Sequence, residues 1–214
     1  MQALLADVAA RSYTALVVLE ITKYGHPVLR EKGKRIERVT PEIRQLAAAM
    51  IETMYAGNGV GLAAQQVGRA LMLTVLDVRD PERPSQMFVG GALQDLNTVM
   101  PLVLVNPAIT HTEGEQVGSE GCLSVPEISA EIRRAARVSV SAQNLDGKPL
   151  EFECTGLLAR AVQHEVDHLN GILFIDRMDA ATRASFAGKL KKLQKETQSQ
   201  LAASAKQHHE AVRL

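Results

Sequence analysis

The chain has 214 residues, of which 46% are hydrophobic, so one domain with a sizeable core is expected. Lys plus Arg and Asp plus Glu both number 24, which argues against recruitment to nucleic acid or an anionic membrane by overall charge. The two cysteines are too few for a disulfide framework and fit a reducing compartment such as the cytoplasm. No apolar run reaches the roughly 18 residues of a membrane span, and no sequence-specific nucleic-acid contact is expected.

The first segment, residues 1–20, is fairly apolar, but Asp7 and Arg11 interrupt it. No basic region precedes the apolar residues and no clear small-residue cleavage site follows them. We therefore expect an N-terminal extension rather than a signal peptide.

A helix is predicted to begin after Thr40, a suitable N-cap, with Pro41 at its first position. Apolar residues then recur at helical spacing until Gly57. The glycine-rich segment 57–66 cannot begin as an ordinary helix or strand, so it predicts a loop whose backbone approaches another group closely.

Further along the chain, residues 71–78, 102–106 and 137–142 have the apolar patterns of strands. A turn at residues 146–147 separates the last of these from residues 150–154, which predicts a hairpin. Residues 80–100 contain several prolines and glycines, and so long a stretch inside a domain is expected to be functional or locally structured.

Thr155 is expected to cap a buried helix that ends at Gly171. From about residue 180 the chain is predicted to be helical again, with an apolar stripe beside several lysines. The overall prediction is a single α+β domain of short, mostly antiparallel strands around the buried helix, followed by a C-terminal helix.

The buried helix contains the pattern H-E-x-x-H at His164, Glu165 and His168. Positions i and i+4 share one helix face, so the two imidazoles could bind one divalent metal while the carboxylate reaches a water molecule. The pattern predicts metal-assisted hydrolysis. One group of zinc proteases requires a further histidine where Phe174 stands, which disfavours that group.

Cys122 is the outstanding candidate for a third ligand, since a thiolate and two imidazoles leave a fourth position open. Polar residues and a glycine surround it in segment 119–124, which favours an exposed turn over a core strand. Cys154 lacks such neighbours and is expected to pack in the core.

Three segments, in order, resemble the signature motifs of the peptide deformylase family: GVGLAAQQ at residues 59–66, EGCLS at 120–124 and QHEVDHL at 163–169. The similarity extends over residues 21–178. This resemblance implies a catalytic domain over that range, between an extension at 1–20 and a C-terminal helix at 179–214. It also implies removal of the formyl group from N-terminal formylmethionine of newly made polypeptides, with release of formate.

The residues offer a mechanism for that reaction. A metal held by Cys122, His164 and His168 would lower the pKa of its water, and the resulting metal-bound hydroxide would attack the formyl carbon. Glu165 would act as general base and then as general acid. The resemblance assigns stabilisation of the oxyanion to Gln66 and to the backbone N–H of Leu123.

The resemblance also implies a set of substrate-binding residues. Gly59 and Gly61 would let the loop pair with the extended peptide main chain. Apolar residues would surround the methionine side chain. Glu120 is expected to be a scaffold carboxylate paired with Arg134. The full expected set is Gly59, Val60, Gly61, Glu120, Gly121, Leu157 and Ala161.

On affinity grounds the ligand set suits zinc, whereas the resemblance implies one Fe(II) ion per chain, for which Zn(II) or Ni(II) can substitute. The lysine-bearing C-terminal helix either contacts ribosomal RNA, as the resemblance allows, or is a solvated helix packed on the domain. Two other functions remain open here: a metalloprotease that cuts internal peptide bonds, and a metal-binding module without turnover.

Overall fold

The computed structural model describes residues 17–80 and 82–211, so most of the expected N-terminal extension, residues 1–16, lies outside the described residues. Nine strands and five α-helices occur in the described chain. In chain order they are α1 (Pro41–Ala56), β1 (Gly61–Ala63), β2 (Leu73–Leu76), β3 (Ser85–Val89), β4 (Ala92–Leu93), α2 (Leu96–Val99), β5 (Leu102–Glu113), β6 (Gln116–Cys122), β7 (Val125–Arg134), β8 (Arg137–Gln143), β9 (Pro149–Thr155), α3 (Gly156–Leu169), α4 (Ala180–Ser185) and α5 (Ala187–Ala211).

Seven strands form one sheet in the order β1-β2-β5-β8-β9-β3-β4, and β6 and β7 form a separate two-stranded hairpin. Every pairing between these strands is antiparallel. Helix α3 contacts strands of the large sheet, and Leu158 and Val162 on it are fully buried. The predicted α+β architecture around a central helix is therefore confirmed.

Several predicted elements occur as expected. Helix α1 follows Thr40 and is capped by Gly57, although the Thr40 side chain makes no capping hydrogen bond. Strands β8 and β9 form the predicted hairpin, with Gln143 opposite Pro149. Cys154 is completely buried, as predicted.

Strand β5 extends to Glu113, so the predicted end at Asn106 is wrong. The reason is a β-bulge: the register with β8 shifts between Val105 and Ala108, and Asn106 adopts a φ of 53°. Such a bulge lets a strand continue past Pro107, which cannot donate a ladder hydrogen bond.

Residues 80–100 are locally structured, which was one of the two expectations for this stretch. Strands β3 and β4 form a hairpin whose turn contains Gly90 and Gly91, both at positive φ. Strand β3 then pairs with β9 and so joins this segment to the large sheet.

Helices α4 and α5 replace the single C-terminal helix expected from about residue 180, with Phe186 between them. Leu190 and Thr197 on α5 are buried, and the backbone of Gln194 lies so close to Gly25 that a side chain there would collide with it. Helix α5 is thus packed against the rest of the protein. Among the described helices, none is long and apolar enough to cross a membrane.

Candidate metal centre and active site

Helix α3 carries His164 and His168 one turn apart, with their ring centroids 5.0 Å from each other. The helix begins after Thr155, and the Ser85 hydroxyl accepts a hydrogen bond of 2.9 Å from the Leu158 N–H in its first turn. Because α3 is packed against the sheet, the H-E-x-x-H residues lie on a rigid element.

Cys122 is the last residue of β6, and its sulfur lies 3.2 Å from His168 Nε2. One donor atom from each of Cys122, His164 and His168 lies within 4.8 Å of the other two. The predicted exposed turn at residues 119–124 is wrong for residues 119–122, because cross-strand pairing with β7 holds them in a strand, and the turn begins only at Leu123. The structure nevertheless brings the three expected ligands together.

Glu120 orients the first histidine. Its Oε2 lies 3.0 Å from His164 Nδ1, which leaves Nε2 available for a metal. Arg134 donates two hydrogen bonds of 2.9 Å to the same carboxylate, so the predicted Glu120–Arg134 pair is confirmed. Burial opposes ionisation of Glu120, but His164 and Arg134 together lower its pKa to about 2.

Two buried residues in this network were missed by the sequence reasoning. Arg160 donates a hydrogen bond of 2.7 Å to Glu120 Oε1. Asp167 lies between Arg134 and Arg177 and accepts hydrogen bonds from both. Asp167 belongs to the QHEVDHL motif, but no role was predicted for it. Its position on α3, three residues after His164, could have indicated that it lies near the metal ligands.

Glu165 is buried and only 3% exposed. Burial raises its pKa to about 7, although the neighbouring imidazoles favour ionisation. A bound cation would also favour the ionised form. The side chain is therefore suited to accept a proton near neutral pH and to release it again.

The site fits a divalent metal on two grounds. Glu165 Oε2 is a buried polar atom without a hydrogen-bond partner among the described residues, which indicates a site built around a further polar group. The neighbouring histidines also lower the pKa of the Cys122 thiol despite its burial, and a thiolate is the form that binds metals. One thiolate and two imidazoles form a typical catalytic ligand set with an open position.

The glycine-rich segment passes close to this centre. A Cβ atom at Gly61 would collide with the Glu165 carboxylate, and one at Gly57 would come within 2.9 Å of the Leu123 side chain. The part of this segment at residues 61–63 is strand β1 rather than loop. A side chain at position 61 would require the Glu165 carboxylate to move, and one at position 57 would require the Leu123 side chain to move.

Gln66 is buried with its amide orientation fixed. Its Oε1 accepts a hydrogen bond of 2.8 Å from the Ala63 N–H, and its Nε2 lies 3.4 Å from both Cys122 Sγ and Ser124 Oγ. Gln66 is therefore not a solvated loop amide. The Leu123 carbonyl on the other side of Cys122 accepts a hydrogen bond of 2.9 Å from Lys23 Nζ, which the sequence did not suggest.

A cleft of about 590 Å³ opens beside these groups. Its walls include every expected site residue except His168. These are Gly59, Val60, Gly61, Gln66, Glu120, Gly121, Cys122, Leu123, Leu157, Ala161, His164 and Glu165. Lys23, Arg83 and Arg160 add cationic side chains that were not expected there.

A family model described as polypeptide deformylase matches residues 18–184. The chain belongs to the peptide deformylase family. Among curated relatives, the peptide deformylase of Opitutus terrae is 44% identical over 181 residues, covering 84% of this chain and 94% of the relative. That of Dictyoglomus thermophilum is 44% identical over 161 residues, covering 75% of this chain and 93% of the relative.

Solved structures of the family agree with the fold. The crystal structure of peptide deformylase from Thermus thermophilus matches with a TM-score of 0.71 at 37% identity, covering 84% of this chain and 99% of that one. A peptide deformylase from Synechococcus elongatus, solved in complex with actinonin, matches with a TM-score of 0.66 at 37% identity, covering 83% of this chain and 86% of that one.

Proposed function

We propose that the cleft beside α3 is the active site in which this family member removes the formyl group from N-terminal formylmethionine of newly synthesised polypeptides, releasing formate. The observation that carries the proposal is the convergence of Cys122, His164 and His168 within 4.8 Å, with Glu165 beside them. The chain is a hydrolase of the deformylase family, and the roles of its individual residues are what we propose.

Cys122, His164 and His168 would hold the metal, with Glu120 fixing the orientation of the first imidazole. When bound, a divalent ion supplies a Lewis acid that lowers the pKa of water and polarises the formyl oxygen.

Fe(II) is the ion we propose, because the family resemblance implies it, although the thiolate and imidazoles suit zinc on affinity grounds. Activity of the anaerobically reconstituted iron, zinc and nickel forms tests this choice. Iron is the wrong assignment if the zinc form is the most active.

Glu165 accepts the proton of the attacking water as the water oxygen bonds to the formyl carbon. It then delivers that proton to the methionine nitrogen as the carbon–nitrogen bond breaks, so that formate and a free amine leave. Its burial supports this role, because a pKa near 7 suits both halves of the transfer.

The negative charge on the formyl oxygen would be stabilised by the Gln66 amide and the Leu123 N–H. Support for Gln66 comes from its hydrogen bond to Ala63, which holds its Nε2 near Cys122. A fixed donor needs no reorganisation when the charge develops.

The peptide would lie along the glycine-rich segment. Strand β1 is an outer strand of the large sheet, so one side of its backbone is available for pairing with an extended chain. Val60, Leu157 and Ala161 would surround the methionine side chain, and Glu120 and Gly121 would complete the opposite wall.

Formate release from formyl-Met-Ala-Ser tests the proposed function, with casein as the comparison substrate. Formate release without casein cleavage supports deformylation. Casein cleavage without formate release supports the metalloprotease alternative and would overturn the proposal.

We also propose that the enzyme acts in the cytoplasm on nascent chains, with residues 21–178 as its catalytic domain, 179–214 as a C-terminal appendage and 1–20 as an extension. Exposed lysines on α5 (Lys189, Lys191, Lys192 and Lys195) could contact ribosomal RNA. Ribosome association that weakens steeply with salt in the wild type, and much less after Lys191→Gln and Lys192→Gln, supports this contact.

A further inference from the structure

We propose that Asp77, which lies outside the cleft, is a positioning residue that fixes the substrate-binding loop at residues 57–61. This inference rests on the proposed function of that loop. Asp77 follows directly after β2 and is only 9% exposed. Its backbone N–H donates a hydrogen bond of 2.9 Å to the Val60 carbonyl near the end of the loop.

The Asp77 carboxylate accepts hydrogen bonds from helix α1 and from a residue of its own segment. The Tyr55 hydroxyl, in the last turn of α1, donates a hydrogen bond of 2.6 Å to Asp77 Oδ2. Arg79 donates from its Nε to Oδ1 at 2.9 Å, and its backbone N–H reaches the same oxygen at 3.2 Å. Burial opposes ionisation of Asp77, but these donors hold its pKa below the ordinary value, so the network is built around a carboxylate.

The loop is thereby held at both ends. At its start, the Gly57 N–H donates a hydrogen bond of 3.0 Å to the Thr53 carbonyl of α1. At its end, Gly61 pairs with Leu76, the residue before Asp77. Through its hydrogen bond with Tyr55, Asp77 links α1, where the loop begins, to the end of β2, with which the end of the loop pairs. The glycines between them have no side chains to fix their backbone by packing, so the loop depends on such external bonds.

This arrangement predicts an effect on peptide binding rather than on bond breaking. Asp77→Asn and Tyr55→Phe keep the size of each side chain but weaken the link between α1 and β2. Each should lower kcat/KM for formyl-Met-Ala-Ser about tenfold, mainly through KM. Formyl-methioninamide has no main chain beyond the methionine for the loop to pair with, so its kcat/KM should fall less than about twofold.

Asp146→Asn is the matched control, because it removes an aspartate from another Asp–Arg pair, with Arg44 at 3.4 Å, far along the chain from the loop. Metal content of every variant is measured in parallel and should equal that of the wild type. Equal losses on both substrates, or variants indistinguishable from Asp146→Asn, would overturn the inference. Wild-type protein that releases no formate would instead overturn the proposed function. If Asp77→Asn fails to fold, the Tyr55→Phe variant alone tests the inference, since position 55 is 42% exposed and the substitution keeps the aromatic ring.

Discussion

Glu165 occupies the space that a side chain at position 61 would need. A Cβ atom built on Gly61 would collide with Oε1 of the Glu165 carboxylate. The proposed base on α3 and the proposed substrate-binding strand are therefore in direct contact. Glycine at position 61 allows both to approach the metal ligands together.

Gly61→Ala should consequently displace Glu165 or the strand. We expect kcat/KM for formyl-Met-Ala-Ser to fall about a hundredfold, because small misplacements of reacting groups are costly. Gly188→Ala on α5 is the control, since a Cβ there meets nothing within 4 Å, and it should leave activity within about twofold. Full activity of Gly61→Ala would show that the contact with Glu165 has no functional role.

Glu165→Gln should separate metal binding from catalysis. The amide keeps the size of the side chain but cannot accept the proton, so we expect a loss of at least about a hundredfold in kcat. Metal content should stay at the wild-type value, because Glu165 is not one of the three ligands. Loss of metal together with activity would contradict this division of roles.

Glu120→Gln should destabilise the protein by roughly 3 kcal/mol at pH 7, because it leaves buried Arg160 without a carboxylate and leaves Arg134 with Asp167 alone. The pKa of Glu120 is about 2 in the folded protein, below its ordinary value of 4.5. Its stabilising contribution is therefore present above pH 4.5 and lost as the pH falls towards 2. Urea unfolding across this pH range should show the free energies of unfolding of the wild type and the variant converging as the pH falls. A difference in the free energy of unfolding that stays constant at all pH values would contradict stabilisation by these ion pairs.

The two cysteines should react very differently with a thiol reagent after the metal is chelated. Cys154 is fully buried, and burial raises its pKa to about 12. The histidines instead lower the pKa of Cys122. We expect one fast-reacting thiol in the chelated wild type and none in Cys122→Ala until denaturant is added. A fast thiol in folded Cys122→Ala would refute the assignment.

The H-E-x-x-H helix was predictable from sequence because its signal is local. Apolar residues at helical spacing after Thr155 predict α3, although the Thr155 side chain makes no capping hydrogen bond. The i, i+4 rule then places both histidines on one face. Cys122 lies 42 residues before His164, and only its polar neighbours and the motif resemblance suggested it. The hairpin of β6 and β7 was missed because its glycine and serine residues are typical of turns, and long-range pairing holds them in a strand.

The charged network around the metal ligands was harder to predict. Glu120–Arg134 was anticipated from the family resemblance, but Arg160 and Asp167 were not. Arg160 on α3 reaches a carboxylate on β6, and Arg177 reaches back to Asp167 from beyond the helix. Such contacts depend on how distant segments pack, and no local pattern reports them.

The most direct test of the account is formate release from formyl-Met-Ala-Ser by metal-reconstituted wild type and Cys122→Ala. We predict that the wild type releases formate. Cys122→Ala should release none and should not bind one metal ion per chain, because two imidazoles alone would not retain the ion. A folded Cys122→Ala protein with wild-type activity would contradict the central claim that Cys122, His164 and His168 form the catalytic metal centre.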